Sequence, residues 1–110
     1  MKLYEAQETV FKLLGGIRHP RMATALKLSE EVGEVSKEIV EIEVYGKTER
    51  FEKLKEEMSD TLVCLIEMAN NYGIDLAREF EKKIAYLTPR AEGWVKDFQE
   101  VLNLKRDKLD

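Results

Sequence analysis

Two groups of acidic residues are the part of this sequence that could do chemistry. The first group is Glu30, Glu31 and Glu34 in the string LSEEVGEV, and the second is Glu57 and Asp60 in the string KEEMSDTLVCLI. Acids three residues apart are neighbours on a helix, so each string presents a pair of carboxylates. Carboxylate oxygens suit Mg²⁺, which commonly shares its ligand shell with substrate phosphates. The strings could therefore form a Mg²⁺ site for phosphate chemistry, but composition and helical spacing alone favour the alternative that they are solvated faces of a charged helical protein.

The rest of the chain predicts an all-α fold of four or five helices. Apolar residues recur at three- and four-residue intervals, which places their side chains on one face of a helix. The predicted helices cover about residues 2–14, 21–44, 49–72, 76–87 and a tail from 91 onward. We expect a single domain with a core at about 21–90 and a C-terminal helical extension at about 91–110.

Glycine, proline and capping residues predict where these helices begin and end. Gly46 is expected to end the second helix and Thr48 to cap the third. Asp75 is expected to cap the fourth helix, which the pair Thr88-Pro89 is expected to stop. The last helix would then restart at Ala91.

The apolar positions also predict which helix faces pack together. On the second helix they are Ala25, Leu28, Val32, Val35, Ile39 and Ile42, and on the third they are Phe51, Leu54, Met58, Leu62, Leu65, Ala69 and Tyr72. Glu31 and Glu34 then border the packed face of the second helix, whereas Glu57 and Asp60 lie on the outer side of the third. Because Val63, Cys64 and Met68 make that outer side apolar, the third helix is expected to be buried on several sides, which favours a homodimer or homotetramer.

Composition excludes several classes of protein. The 110 residues carry a formal net charge of −4, which argues against binding a nucleic acid polymer, because such domains usually have a basic face. No apolar stretch approaches the roughly 20 residues of a membrane span, and the N-terminal MKLYEAQETV lacks a signal-peptide layout. Cys64 is the single cysteine and is expected to be a buried, reduced thiol. We therefore expect a cytoplasmic location.

The order and spacing of the two acidic strings resemble the EExxE…ExxD pattern of the all-α nucleoside triphosphate pyrophosphohydrolases, which include MazG-like proteins. Glu34 and Glu57 are separated by 22 residues, and the following LVCLIEMANNYGIDLAREFEKK resembles that family's run into a lysine-bearing helix. The resemblance covers roughly residues 22–90. It implies a homo-oligomeric helical bundle that hydrolyses a ribo- or deoxyribonucleoside triphosphate to the monophosphate and pyrophosphate with Mg²⁺, for which Mn²⁺ could substitute.

The resemblance also implies roles for individual residues. The residues that match the family's metal ligands are Glu31, Glu34, Glu57 and Asp60. Glu30 matches a catalytic position that could orient the attacking water or a ligand carboxylate. The residues that match substrate-binding positions are Lys83, Arg90 and Asn70, whose alternative roles are salt bridges for the two cations and a helix cap for the asparagine.

Two other functions remain open from the sequence. Phosphoribosyl-ATP pyrophosphohydrolases have a similar metal motif, and a non-catalytic helical interaction module could keep the same bundle. A ferritin-like di-iron site is excluded, because it needs Glu-x-x-His pairs and His19 is the single histidine. Trp94 and Phe98 are expected to make packing contacts.

Overall fold

A computed structural model describes residues 1–109, which form five α-helices and one 3₁₀ turn. The elements are α1 (Leu3–Leu14), α2 (Arg21–Glu43), the turn Thr48–Arg50, α3 (Phe51–Asn71), α4 (Leu76–Asp97) and α5 (Gln99–Leu109). The all-α prediction is confirmed, since no strand occurs within this range. Over the same residues, no helix has the length and apolar character needed to cross a membrane. The chain divides into two compact units, the first covering Met1–Leu76 and the second beginning at Ala77.

In the first unit, a side-chain network ties α1 to the end of α3. Gln7 Nε2 donates to Asn70 Oδ1 at 3.2 Å and to the carbonyl of Ile74 at 2.9 Å. Asn70 Nδ2 returns a bond to the Gln7 carbonyl at 3.1 Å, and the Leu76 amide donates to Gln7 Oε1 at 2.8 Å. The bonds run alongside a small apolar core of Val10, Ile66 and Ala69. They fix where α3 ends and where α4 begins.

Glycines with a left-handed backbone follow α2 and α3, and Gly46 lies where the sequence predicts the end of α2. Gly46 has φ +66° and Gly73 has φ +65°, a left-handed conformation that glycine adopts without steric cost. The Gly46 amide donates to the Ile42 carbonyl at 3.1 Å. Thr48, however, does not cap α3: it begins the 3₁₀ turn, and neither this turn nor α3 has a side-chain cap at its start.

The packed faces of α2 and α3 differ from those predicted. Val32, Ile39, Met58, Leu62 and Leu65 are roughly half exposed. The buried positions between the helices are polar instead: Thr24 and Glu38 on α2, and Glu57 beside Cys64 on α3. The expectation that Glu57 lies on an outer side of α3 was therefore wrong, because α3 turns its Glu57 and Cys64 face toward α2.

The second unit corrects the prediction for residues 88–98. Thr88-Pro89 does not stop the helix, since α4 continues to Asp97 with Pro89 inside it. Proline donates no backbone bond, but Thr88 Oγ1 donates to the carbonyl of Ile84 and Arg90 Nη1 donates to that of Tyr86, each at 2.7 Å. The carbonyl that loses its helical donor at Pro89 is that of Ala85, so these bonds add to the neighbouring turns and do not replace the missing bond. Because α4 continues to Asp97, the last helix begins at Gln99 rather than at Ala91.

We expect Asn70→Ala to lower the free energy of unfolding by about 1–3 kcal/mol, because it leaves part-buried groups of Gln7 unpaired. Urea unfolding measures the loss. Gln7→Ala should cost a similar amount, and the double variant should cost less than the sum, since both residues belong to one network. Asn103→Ala on the exposed surface of α5 is the control. Additive losses would mean that the two residues do not act together.

Candidate metal centre

Three carboxylates from α2 and α3 converge on one point. Glu31, Glu57 and Asp60 each offer an oxygen atom, and these atoms lie within 4.8 Å of one another. Glu31 comes from the middle of α2, and the other two come from adjacent turns of α3. The two helices run antiparallel, as a short connection between neighbours requires. The structure therefore brings together three of the four acids that the sequence predicts as metal ligands.

The most buried of these acids is Glu57, which is 7% exposed. Lys53 Nζ, one turn earlier on α3, lies 3.4 Å from Glu57 Oε1. The hydrogen bond to Glu57 and its negative charge raise the pKa of Lys53 above the usual lysine value. Lys53 and Lys27, the second of which lines a cavity together with Glu31 and Asp60, supply two positive charges for three carboxylates. The cluster thus keeps an excess of negative charge in a partly buried place.

The donor set of this cluster fits a hard divalent cation. All three groups are carboxylates, the ligand type that Mg²⁺ and Mn²⁺ accept, and no soft sulfur or imidazole ligand belongs to the cluster in residues 1–109. Two oxygens on opposite sides of a Mg²⁺ ion lie about 4 Å apart, close to the spacing observed here. A bound cation would also remove the repulsion between the carboxylates. Glu31, Glu57 and Asp60 are therefore the residues that could hold a metal.

The other two predicted acids lie outside this cluster. Glu34 is one turn from Glu31 on α2, and its side chain is exposed. Glu30 is exposed as well. Neither belongs to the group whose oxygens converge. Both lie beside the cluster on α2, on the side that faces solvent.

An ion pair between a buried carboxylate and a partly exposed arginine connects α2 to the turn before α3. Glu38 is 1% exposed, and its carboxylate accepts two bonds from Arg50, from Nε at 2.7 Å and from Nη2 at 2.5 Å. This hydrogen bonding holds the pKa of Glu38 below its usual value and raises that of Arg50. Because Arg50 ends the 3₁₀ turn before α3, the pair sets the register of α3 against α2. Sequence reasoning missed Arg50, although Glu38 follows Glu31 by seven residues on the same helix face.

Above the cluster, a cavity of about 250 Å³ opens between the helices. Its lining residues are Leu14, Lys27, Glu31, Asp60, Val63, Cys64 and Glu67. Cys64 lies at the back, where its thiol donates to the Thr24 carbonyl at 3.7 Å, and burial raises the pKa of this thiol. Most of the lining is polar or charged and includes Lys27, whereas Leu14 and Val63 contribute apolar side chains. The cavity can receive a molecule with a charged part and an apolar part.

His19 and Glu67 form a contact that sequence reasoning missed. His19 Nδ1 lies 2.9 Å from Glu67 Oε1, although the two residues are 48 positions apart. The contact connects the loop between α1 and α2 to α3. Glu67 follows Asp60 by seven residues, which was the available signal that both share one helix face.

The predicted substrate-binding residues belong to different units of the chain. Lys83 and Arg90 are on α4 in the second unit, where both lie over the ring of Tyr86, at 5.4 Å and 3.8 Å from its centroid. Asn70 is in the first unit, and its side chain is bonded to Gln7. The structure thus groups the two cations around one aromatic ring and gives Asn70 a structural role.

The fold and the cluster define an all-α protein with a candidate divalent-metal centre between two antiparallel helices. The sequence model of the MazG nucleotide pyrophosphohydrolase domain matches residues 20–93, which contain α2, α3 and most of α4. The chain belongs to this family, and it is a nucleotide pyrophosphohydrolase. The resemblance predicted from the two acidic strings is confirmed. No match to the chain was found among curated proteins or among solved structures.

We expect Arg50→Leu to lower the melting temperature strongly, because it leaves the Glu38 carboxylate buried without a partner. The double variant Glu38→Leu/Arg50→Leu should recover most of the loss, since it removes both charges. Thermal unfolding followed by circular dichroism measures both effects. A double variant as unstable as Arg50→Leu would contradict the importance of the unpaired charge.

The same ion pair makes stability depend on pH. Because the pKa of Glu38 is lowered in the folded protein, its contribution is complete above the unfolded value of about 4.3 and is lost as the pH falls through the folded value. We therefore expect the stability advantage of wild type over Glu38→Gln to shrink below about pH 4.3. A difference that stays constant from neutral pH to acid would contradict this.

Proposed function

We propose that this protein hydrolyses nucleoside triphosphates, with a ribose or a deoxyribose sugar, to the monophosphate and pyrophosphate in a Mg²⁺-dependent reaction. The observation that carries the proposal is the convergence of Glu31, Glu57 and Asp60 beside a cavity. Membership of the nucleotide pyrophosphohydrolase family supports the same reaction. Mn²⁺ is a reasonable substitute, because it also accepts oxygen ligands.

In this proposal, the residues of the cluster hold the metal, and Glu34 joins them from the exposed edge of α2. When bound, Mg²⁺ supplies charge neutralisation for the triphosphate and a lowered pKa for a coordinated water. Glu30 accepts a proton from the attacking water or orients a ligand carboxylate, as a positioned general base does. Its exposed position on α2 leaves it accessible to water.

We further propose that Lys83 and Arg90 bind the substrate phosphates. Both side chains are exposed, and Tyr86 holds them together on α4. The planar guanidinium of Arg90 suits a bidentate contact with phosphate oxygens. Asn70 contributes to nucleotide binding through Oδ1, because a carbonyl oxygen can accept a second hydrogen bond besides that from Gln7.

The exposed apolar surface of α2 and α3 supports a homodimer or homotetramer. Val32, Val35, Met58 and Thr61 line an open, mostly apolar cavity of about 230 Å³ on the first unit. Leu62 and Leu65 extend the same side of α3 and are roughly half exposed. An apolar surface of this extent on a small domain usually marks an interface.

Activity with a panel of nucleotides tests the proposed reaction. Purified protein is incubated with ribo- and deoxyribonucleoside triphosphates and with phosphoribosyl-ATP, each with Mg²⁺ or with chelator, and monophosphate and pyrophosphate are measured. We expect Mg²⁺-dependent release of pyrophosphate from a nucleoside triphosphate. Exclusive turnover of phosphoribosyl-ATP would identify the sister activity, and no product from any nucleotide would overturn the proposal.

We expect Asp60→Asn to reduce turnover at least about 100-fold and to weaken Mg²⁺ binding measured by calorimetry, because it removes a charged ligand from the cluster. Its far-ultraviolet circular dichroism should equal that of wild type, since Asp60 is exposed and carries no core contact. Glu52→Gln, an exposed acid on the same helix, is the matched control. An active Asp60→Asn protein would show that the ligand assignment is wrong.

We expect Leu62→Lys to shift the protein to a smaller species in sedimentation velocity, because it places a charge in the proposed interface. Leu13→Lys, at a more exposed position on α1, should leave the mass unchanged. A monomeric wild-type protein would exclude the proposed oligomer.

A further inference from the structure

Glu67 is a buried carboxylate that the proposed reaction does not use. It is 8% exposed and lies on α3. It lines the cavity above the metal cluster and also a smaller one of about 60 Å³, whose other lining residues are Val10, Phe11, Leu14, Gly15, Asn70 and Asn71. A carboxylate in such a place is costly unless hydrogen-bond donors compensate it. Because Glu67 lines both cavities, its carboxylate can contact a ligand that binds in either of them.

One hydrogen bond orients the carboxylate of Glu67 and leaves its second oxygen able to accept another. His19 Nδ1 faces Oε1 at 2.9 Å, and since a carboxylate only accepts, this imidazole nitrogen is the donor. The bond engages one of two carboxylate oxygens. His19 comes from the loop before α2, so Glu67 is fixed from outside its own helix. It is therefore oriented to accept a further hydrogen bond from a ligand.

The distance from the metal cluster fits the nucleoside part of a nucleotide. Glu67 follows Asp60 by seven residues on one helix face, which is a rise of about 10 Å. A sugar and a base together bridge such a distance from a phosphate held at the cluster. Leu14 and Val63 are apolar side chains that line the same cavity, and they suit the face of a base or a sugar ring. The base edge would then meet Glu67.

Building on the proposed function, we propose that Glu67 selects nucleotides whose base carries the N4 amino group of cytosine or the N6 amino group of adenine. An ionised carboxylate accepts hydrogen bonds from an amino group, as it does from cytosine N4 in base readout. Uracil, thymine and hypoxanthine present a carbonyl oxygen where cytosine or adenine has its amino group, and two acceptors facing each other repel. His19 is the positioning residue that orients the carboxylate.

Matched substrate pairs test this selection. The pairs are dCTP with dUTP and dATP with dITP, which differ at the amino or oxo position of the base. For wild type, kcat/KM is expected to favour the amino member of each pair by about tenfold or more. Glu67→Gln should reduce this preference to near unity, because a carboxamide can present either a donor or an acceptor. Glu52→Gln should keep the wild-type preference.

A binding measurement separates this inference from the proposed function. Calorimetry with Ca²⁺ in place of Mg²⁺ gives the Kd of each nucleotide without relying on turnover. Selective binding without hydrolysis would overturn the proposed reaction and support the role of Glu67. Hydrolysis with equal kcat/KM within each pair, or equal losses for both members in Glu67→Gln, would overturn the role of Glu67 alone. Protein that binds no nucleotide would overturn both.

Two further controls address folding and the sugar. If Glu67→Gln does not fold by circular dichroism, Glu67→Asp provides the second variant. It keeps the charge but moves the carboxylate back by one carbon, so a reduced preference is again expected. Loss of discrimination between ribose and deoxyribose with unchanged base preference would show that Glu67 contacts the sugar, and would overturn the inference.

Discussion

The burial of carboxylates between α2 and α3 is the constraint on which the first unit depends. Most helix pairs bury apolar side chains between them, but here Glu38 and Glu57 occupy the interface. Each buried charge needs a compensating cation, because desolvation otherwise destabilises the fold. Arg50 compensates Glu38 fully and bidentately, whereas Lys53 compensates Glu57 at a longer distance. The carboxylates around Glu57 therefore keep a net negative charge, and a divalent cation would bind there.

The polar residues of the α2–α3 interface form three successive groups along the helices. At the first, Arg50 and Glu38 fasten the beginning of α3 to α2. At the second, the carboxylate cluster brings together three oxygen atoms that could hold a metal ion. At the third, the buried Glu67 faces the cavity and is held by His19. Residues seven positions apart, such as Glu31 and Glu38 on α2 or Asp60 and Glu67 on α3, lie on the same face of their helix. One helix pair thus carries an ion pair, the candidate metal centre and the proposed nucleoside-binding site.

Much of the fold and part of the site could be predicted from the sequence, because both depend on local spacing. The three- and four-residue apolar pattern gave helices α1 to α3 nearly at their observed bounds. The paired acids of the two strings identified Glu31, Glu57 and Asp60. Predictions about helix ends failed at two places: Thr48 begins a 3₁₀ turn instead of capping α3, and α4 continues through Pro89 to Asp97.

The sequence by itself determined the helix type, the acidic pairs and the family, since these are properties of residue order along one chain. Only the tertiary structure decided which face of each helix is packed. Periodicity assigns the packed face to apolar residues, yet Met58 and Leu62 are exposed while Glu38 and Glu67 are buried. The cause is pairing across the fold: Arg50 is 12 positions from Glu38, and His19 is 48 from Glu67. Such partners make buried charge tolerable, and no pattern within a single helix reveals them.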